Sequence, residues 1–245
     1  MISSAKFSPN SLRSTVNNLP SKTSEATYTG PEPASPAQVH ALIAELRRLY
    51  PNATCSLNYT NPLELLVATQ LSAQCTDERV NIVTAHLFQK YRCVEDFATV
   101  SQEELEQDIR STGFYRNKAK NIRATCQRII THYGGEVPRT MPDMLSLAGV
   151  ARKTANVVLG NAFAIVEGVV VDTHVGRLSR RFGWTKHEDP VKVEQELMRI
   201  IPENDWLDLS HLLIFHGRAI CHARKPLCEQ CTLASLCPAA GRIKG

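Results

Sequence analysis

Residues 147–155 read Leu147-Ala148-Gly149-Val150-Ala151-Arg152-Lys153-Thr154-Ala155, and the folding of this stretch decides the class of the whole chain. A glycine between two apolar-periodic runs predicts the end of one helix, a tight hairpin and the start of a second helix. Lys153 falls in the first turn of that second helix, at the positive end of the helix dipole, a place where an amine can be pushed toward its neutral, nucleophilic form. Nineteen residues on, Val171-Asp172-Thr173-His174 places a carboxylate at another helix start. Plainer readings stand beside these: Lys153 as a solvated surface lysine, and Asp172 as an N-cap with His174 as its neighbour. Capping and chemistry are compatible, because a carboxylate held by backbone N–H groups stays ionised and aimed. An amine, a carboxylate and a hairpin of free backbone N–H groups together suggest covalent chemistry beside a phosphate.

Outward from the hairpin, the period is helical nearly throughout. Ser35-Pro36 supplies an N-cap and a first-turn proline to a helix running through Val39, Leu42, Ile43, Leu46 and Tyr50. Asn61-Pro62-Leu63-Glu64 repeats the device with a capping-box pattern, Ser101 with Glu104 gives another, and Asp189-Pro190 opens a late helix through Val193, Leu197 and Ile200. The only strand-like run, Val169 to Val171, is too short to build a sheet. The expected fold is all-α, with about ten helices and short turns.

The chain of 245 residues is long enough to bury a substantial core, as one large domain or two small ones. No apolar run nears the roughly 18 residues of a membrane span, so a soluble protein with no membrane partner is expected. Residues 1–35, dominated by Ser, Thr, Pro and Asn, are expected to form a disordered tail. An organellar transit peptide is the lesser alternative there, because no amphipathic arginine face is present. The net charge of +4 is modest. Its distribution says more: residues 109–135 carry Arg110, Arg116, Lys118, Lys120, Arg123 and Arg128 and no acidic residue. Such a run is often a solvated face, but Phe114 and Tyr115 at its glycine-bearing start suit insertion into or against a base stack. Core packing of one of the two rings is the competing reading. Gln74 and Asp77 sit in a polar inter-helix turn, with Thr76 or Asp77 as the cap of the next helix.

Eight cysteines in a chain with no recognisable secretory signal point to a reducing compartment. Cys55, Cys75, Cys93 and Cys126 are scattered in apolar or helical contexts and read as small buried residues. Cys221, Cys228, Cys231 and Cys237 follow C-x6-C-x2-C-x5-C, with Pro238 after the last. Four thiolates in so short a segment suit one tetrahedral zinc or a cubane cluster. Structural zinc prefers two C-x2-C knuckles, whereas a single knuckle with a closing Cys-Pro favours iron–sulfur ligation. The loop between the first two ligands, His222-Ala223-Arg224-Lys225-Pro226, is basic and suits either solvent or phosphate.

Leu71-Ser72-Ala73-Gln74-Cys75-Thr76-Asp77, Ser111-Thr112-Gly113-Phe114-Tyr115-Arg116-Asn117-Lys118-Ala119, Arg152-Lys153-Thr154-Ala155-Asn156, Val171-Asp172-Thr173-His174 and the four-cysteine loop occur in this order. Together, over about residues 36–238, they make the chain resemble the endonuclease III family of helix-hairpin-helix DNA glycosylases and AP lyases. The resemblance implies a six-helix domain at 57–164 that contains the hairpin. It also implies a discontinuous cluster domain from 36–56 and 165–245, with duplex DNA across the groove between them. It implies excision of oxidised pyrimidines through a Schiff base on Lys153, assisted by Asp172, with strand cleavage 3′ to the abasic site by β-elimination. Gln74 would fill the space left by a flipped base and Phe114 would wedge the opposite strand. Gly149, Val150 and Ala151, with Arg224 and Lys225, would hold the phosphates. Cys221, Cys228, Cys231 and Cys237 would hold a [4Fe–4S] cluster. A monomer acting in the cytoplasm on nucleoid DNA completes the expectation.

Two features depart from the family pattern, the hairpin and the wedge. Ala148 and Ala151 stand where its members usually carry the proline and second glycine of Pro-Gly-x-Gly, and a methyl at 151 narrows the approach to the backbone of the nucleic acid. Phe114 replaces the more usual aliphatic wedge, with a consequence for the opposite base. Two alternative functions remain at this level. An adenine glycosylase of the same superfamily lacks the lysine, and a non-catalytic DNA-binding module has no need of one, so Lys153 discriminates against both.

Overall fold

The computed structural model describes residues 33–242. Among these it is helical without strands, so the run at 169–171 forms no strand. Eleven α-helices follow in order: α1 (Pro36–Leu49), α2 (Pro62–Leu71), α3 (Asp77–Lys90), α4 (Val94–Thr99), α5 (Gln102–Asp108), α6 (Tyr115–Tyr133), α7 (Met141–Leu145), α8 (Arg152–Phe163), α9 (Thr173–Arg181), α10 (Pro190–Ile200) and α11 (Trp206–Ala219). Most of the expected tail, 1–35, lies outside the described residues. Its last part is ordered: the Ala34 N–H donates to the Gly183 carbonyl at 3.1 Å, and Ser35 caps α1.

Local chemistry sets the helix starts, with two departures from the sequence pattern. Ser35 and Gln38 form the full reciprocal capping box at α1. At α2 only half of the box forms. Asn61 accepts from the Glu64 N–H at 3.0 Å, but the Glu64 carboxylate turns to the N–H and hydroxyl of Thr60, two donors that converge on one oxygen. At α5, Ser101 accepts from the Glu104 N–H while the Glu104 carboxylate is drawn 2.8 Å from Lys90 instead.

Two separate apolar clusters organise these helices. The first is built from α2 to α8, with α2 at its centre, buried from Leu65 through Leu71 and packed between α6 and α8. The second combines Val39, Leu42, Ile43 and Leu46 of α1 with α9, α10, α11 and Leu233. The chain therefore begins in the second cluster, builds the first, and returns. The basic run is not one cationic face. Lys118 is buried and donates to the carbonyls of Leu71 and Thr112, both at 2.8 Å. Arg123 reaches Gln102 and Arg128 reaches Ser146, because a helical period carries every third or fourth residue inward. Arg110, Arg116 and Lys120 stay exposed.

Candidate active site and cysteine loop

The hairpin connects α7 to α8 through a turn that only glycine fits at its apex. Gly149 has φ +70°, and a Cβ there would lie 2.5 Å from the Asn121 side-chain amide. Beneath it, the Ala148 carbonyl accepts from Gln70 Nε2 at 2.8 Å and from the Thr125 hydroxyl at 2.9 Å. Gln70 and Thr125 were not singled out in the sequence, since neither is close in the chain to what it holds. Ala151 is extended at φ −98° and ψ 170°, a conformation alanine adopts freely, so the missing glycine introduces no backbone strain. Val150 differs from its neighbours. Its side chain is buried and its N–H donates to the Leu147 carbonyl at 3.2 Å, so this amide is spent inside the turn. The amides of Gly149 and Ala151 have no acceptor among the described residues, and Ala151 offers α8 no side-chain cap. Open N–H groups at a helix N-terminus form an anion site.

Lys153 is the second residue of α8 and is exposed. Asp172 is the N-cap of α9, accepting from the Val175 N–H at 2.8 Å. The two side chains come from opposite apolar clusters and line one cleft of about 590 Å3, together with Gln74, His174, His211 and Arg218. Burial lowers the pKa of His174, with the Asp172 charge opposing that shift. Across the cleft mouth, Arg218 of α11 donates to Asp77 at 2.6 Å and to the Ser56 hydroxyl at 3.1 Å, tying the second cluster to the first.

Gln74 and Phe114 are both exposed and both left-handed, at φ +54° and +48°. Backbone held in this region concentrates at functional sites. They face a second, smaller cavity of about 180 Å3, shared with Asn117, Asn121, Lys118 and Gly149. Tyr115 takes the other course, packing against the first apolar cluster with Arg110 and Arg116 over its ring.

Cys221, Cys228, Cys231 and Cys237 are free thiols that line a common cavity. The cysteine sulfurs line this cavity from the end of α11 to the segment after it, together with Arg181, Phe182 and His216. Burial pushes the Cys237 thiol up to about 11 and raises that of Cys231, a penalty removed by bonding as thiolates to iron. Arg181 Nη1 lies 3.0 Å from the Cys221 sulfur and also donates to the His222 carbonyl at 2.8 Å, while Nη2 donates to the Ala223 carbonyl at 2.9 Å. Arg177, one turn earlier, reaches the Cys221 carbonyl at 3.0 Å. Thus the helix that starts at Asp172 ends by gripping the cysteine loop, a role legible only as the arginine spacing of α9. Arg224 and Lys225 project from the loop into solvent, Lys225 at φ +47°. The donor set fits an iron–sulfur cluster.

Comparison with known proteins is consistent with this geometry. Residues 67–203 match the family model of the HhH-GPD superfamily base excision DNA repair proteins, and residues 221–237 match the iron-sulfur binding domain of endonuclease III. Endonuclease III of Synechocystis sp. is 58% identical over 195 residues, covering 80% of this chain and 89% of that protein. The chain belongs to the endonuclease III family. The Bacillus subtilis member is 51% identical, over 82% of this chain and 91% of its own length. A solved non-covalent endonuclease III–DNA complex superposes with a TM-score of 0.81 at 47% identity, covering 85% of this chain and 97% of that one. A trapped endonuclease III–DNA covalent intermediate matches equally well, with a TM-score of 0.81 at 47% identity, over 85% of this chain and 98% of that one. As a member of the endonuclease III family, the protein is a DNA glycosylase and AP lyase of base excision repair that binds duplex DNA and carries a [4Fe–4S] cluster. No helix among the described residues is long and apolar enough to cross a membrane.

Proposed function

We propose that Lys153 is the nucleophile and Asp172 its partner in removing oxidised pyrimidines, and that the two apolar clusters are two domains, 57–164 and 36–56 with 165–245. The reading rests on one observation: side chains from both clusters, Lys153 and Asp172, line the same cleft. A nucleotide flipped into that cleft presents its C1′ to the amine. Lys153 Nζ, having given a proton to Asp172, bonds to C1′ while the glycosidic electron pair leaves with the base. The ring opens to a Schiff base, and loss of a proton from C2′ expels the 3′ phosphate by β-elimination. Water then releases Lys153. Asp172 is suited to this work because its N-cap bond fixes one oxygen and aims the other.

Gln74 fills the gap left in the stack, and Phe114 wedges the opposite strand. The open amides at Gly149 and Ala151 and the first turn of α8 hold a phosphate; Val150 acts by fixing the turn that exposes them. Arg224 and Lys225 contact phosphate further along the duplex, and the cluster held by Cys221, Cys228, Cys231 and Cys237 supplies the rigidity of their loop. The protein acts as a monomer on cytoplasmic nucleoid DNA. Borohydride added during turnover on thymine-glycol or abasic duplex should trap a covalent protein–DNA adduct. Lys153→Ala should lose it while affinity for duplex falls less than about tenfold. Absence of an adduct with the unsubstituted protein on both duplexes would overturn the lyase reading.

A further inference from the structure

The cleft that Lys153 lines has a hydrogen-bonding character that can be read atom by atom. Asn161 Nδ2 donates to the Val157 carbonyl at 2.8 Å. A carbonyl can only accept, so the other end of that amide, Oδ1, faces His211 Nε2 at 2.9 Å. Oδ1 carries no proton, so the proton of this bond sits on Nε2. Burial lowers the pKa of His211 against the opposing charge of Asp208 and holds the ring neutral. A neutral ring protonated at Nε2 has a bare Nδ1. That nitrogen has no partner among the described residues and is not among the sealed, unsatisfied atoms.

Three hydroxyls of the same cleft are committed in the same sense. Thr69 donates to the Leu65 carbonyl at 2.7 Å, Ser72 to the Thr69 carbonyl at 2.8 Å, and Ser210 to the Val170 carbonyl at 3.0 Å. Each hydroxyl has one proton and each has spent it on backbone, leaving only lone pairs for a ligand. All four side chains line the cleft that holds Lys153.

We propose that His211 is a specificity-determining residue for the base, accepting at Nδ1 a hydrogen bond from a hydroxyl of the flipped pyrimidine and so favouring bases that carry hydroxyls. The proposal rests on the reading of this cleft as the base pocket. Thymine glycol brings two hydroxyls and N3–H to these acceptors. Dihydrothymine has the same saturated ring and N3–H without the hydroxyls, and an abasic site brings no base at all. A wall of acceptors therefore separates the three, because an acceptor left facing a C–H loses its partner.

The test compares single-turnover excision of thymine glycol and of dihydrothymine with strand cutting at a preformed abasic site. His211→Leu should lose about tenfold on thymine glycol, the worth of one hydrogen bond, and at least threefold less on the other two. His211→Gln restores an acceptor and should recover most of the thymine-glycol preference. Asn161→Asp keeps the ring but draws a second proton onto it, turning Nδ1 into a donor, and should lose the preference as His211→Leu does. If His211→Leu fails to fold, Asn161→Asp carries the comparison alone. Equal losses on all three duplexes, or an unchanged preference in Asn161→Asp, would overturn the proposal. Inactivity of the unsubstituted protein on every duplex would instead remove the reading of the cleft itself.

Discussion

Arg152 Nε donates to both carboxylate oxygens of Glu194, at 3.1 and 3.0 Å. The pair joins the first residue of α8 to the middle of α10, and Asn156, one turn along α8, adds a third donor at 3.0 Å. The Glu194 side chain is 8% exposed and that of Arg152 is 42% exposed. Gly168 leaves room for it, since a Cβ there would collide with the carboxylate. Lys153 follows Arg152 directly, and α9, which starts at Asp172, packs on α10. One buried carboxylate thus ties the start of α8, next to Lys153, to the helix on which α9 packs.

Glu194→Gln keeps the shape and removes the charge, weakening charge-assisted bonds without emptying the site. Because Arg152 can rehydrate, the expected loss is about 2 kcal/mol rather than the full cost of stranding a buried charge. Urea midpoints measure it, and borohydride trapping should slow in parallel. An unchanged midpoint would show that the pair is incidental.

Asp172 caps α9, and the chemical duty proposed for it separates from the cap by substitution. Asparagine caps a helix as well as aspartate does, so Asp172→Asn should leave the thermal midpoint in place while adduct formation slows at least about a hundredfold. Asp172→Ala loses the cap as well and should cost about 1 kcal/mol more. Full activity in Asp172→Asn would reassign the acid to another residue.

Gly149→Ala forces a side chain into the left-handed region and onto Asn121. The conformational part alone is about 1–2 kcal/mol. The hairpin should loosen, with reduced duplex affinity in gel shift and a lower urea midpoint. Ala151→Gly, by contrast, meets no strain to relieve and should change stability by less than about 0.5 kcal/mol.

His211 has a folded pKa below the 6.5 of a free ring. Below that pH the unfolded chain takes up a proton that the folded chain resists, so stability is intact above about 6.5 and declines as the medium is acidified. Urea midpoints between pH 7 and pH 5 should fall more steeply for the unsubstituted protein than for His211→Gln. Parallel curves would mean that the ring titrates freely in the fold.

What was legible in the sequence was what is local. The hairpin, the proline-led helix starts, the Asp172 cap and the cysteine spacing each depend on residues a few positions apart. The pairings that escaped detection are long-range. Glu194 meets Asn156 across 38 positions and Gln70 meets the Ala148 carbonyl across 78, and no helical period encodes such partners. Lys118 shows the limit in the other direction. Within a run of cations it reads as surface charge, yet it is buried, with two helix-end carbonyls accepting from its ammonium group. Which nitrogen of His211 carries the proton was equally hidden, since it follows from which way the Asn161 amide faces.

The bonds of Lys118 have a mechanical consequence. Leu71 and Thr112 are the last residues of two helical segments, and just beyond them the chain turns out to Gln74 and to Phe114. One ammonium clamps both roots, so the two exposed side chains are tines of a single fork with α6 as its handle. Neither tine tilts without straining the other. On the roles proposed for the two residues, plugging the vacated gap and prying at the facing strand become one stroke, completed or withdrawn together.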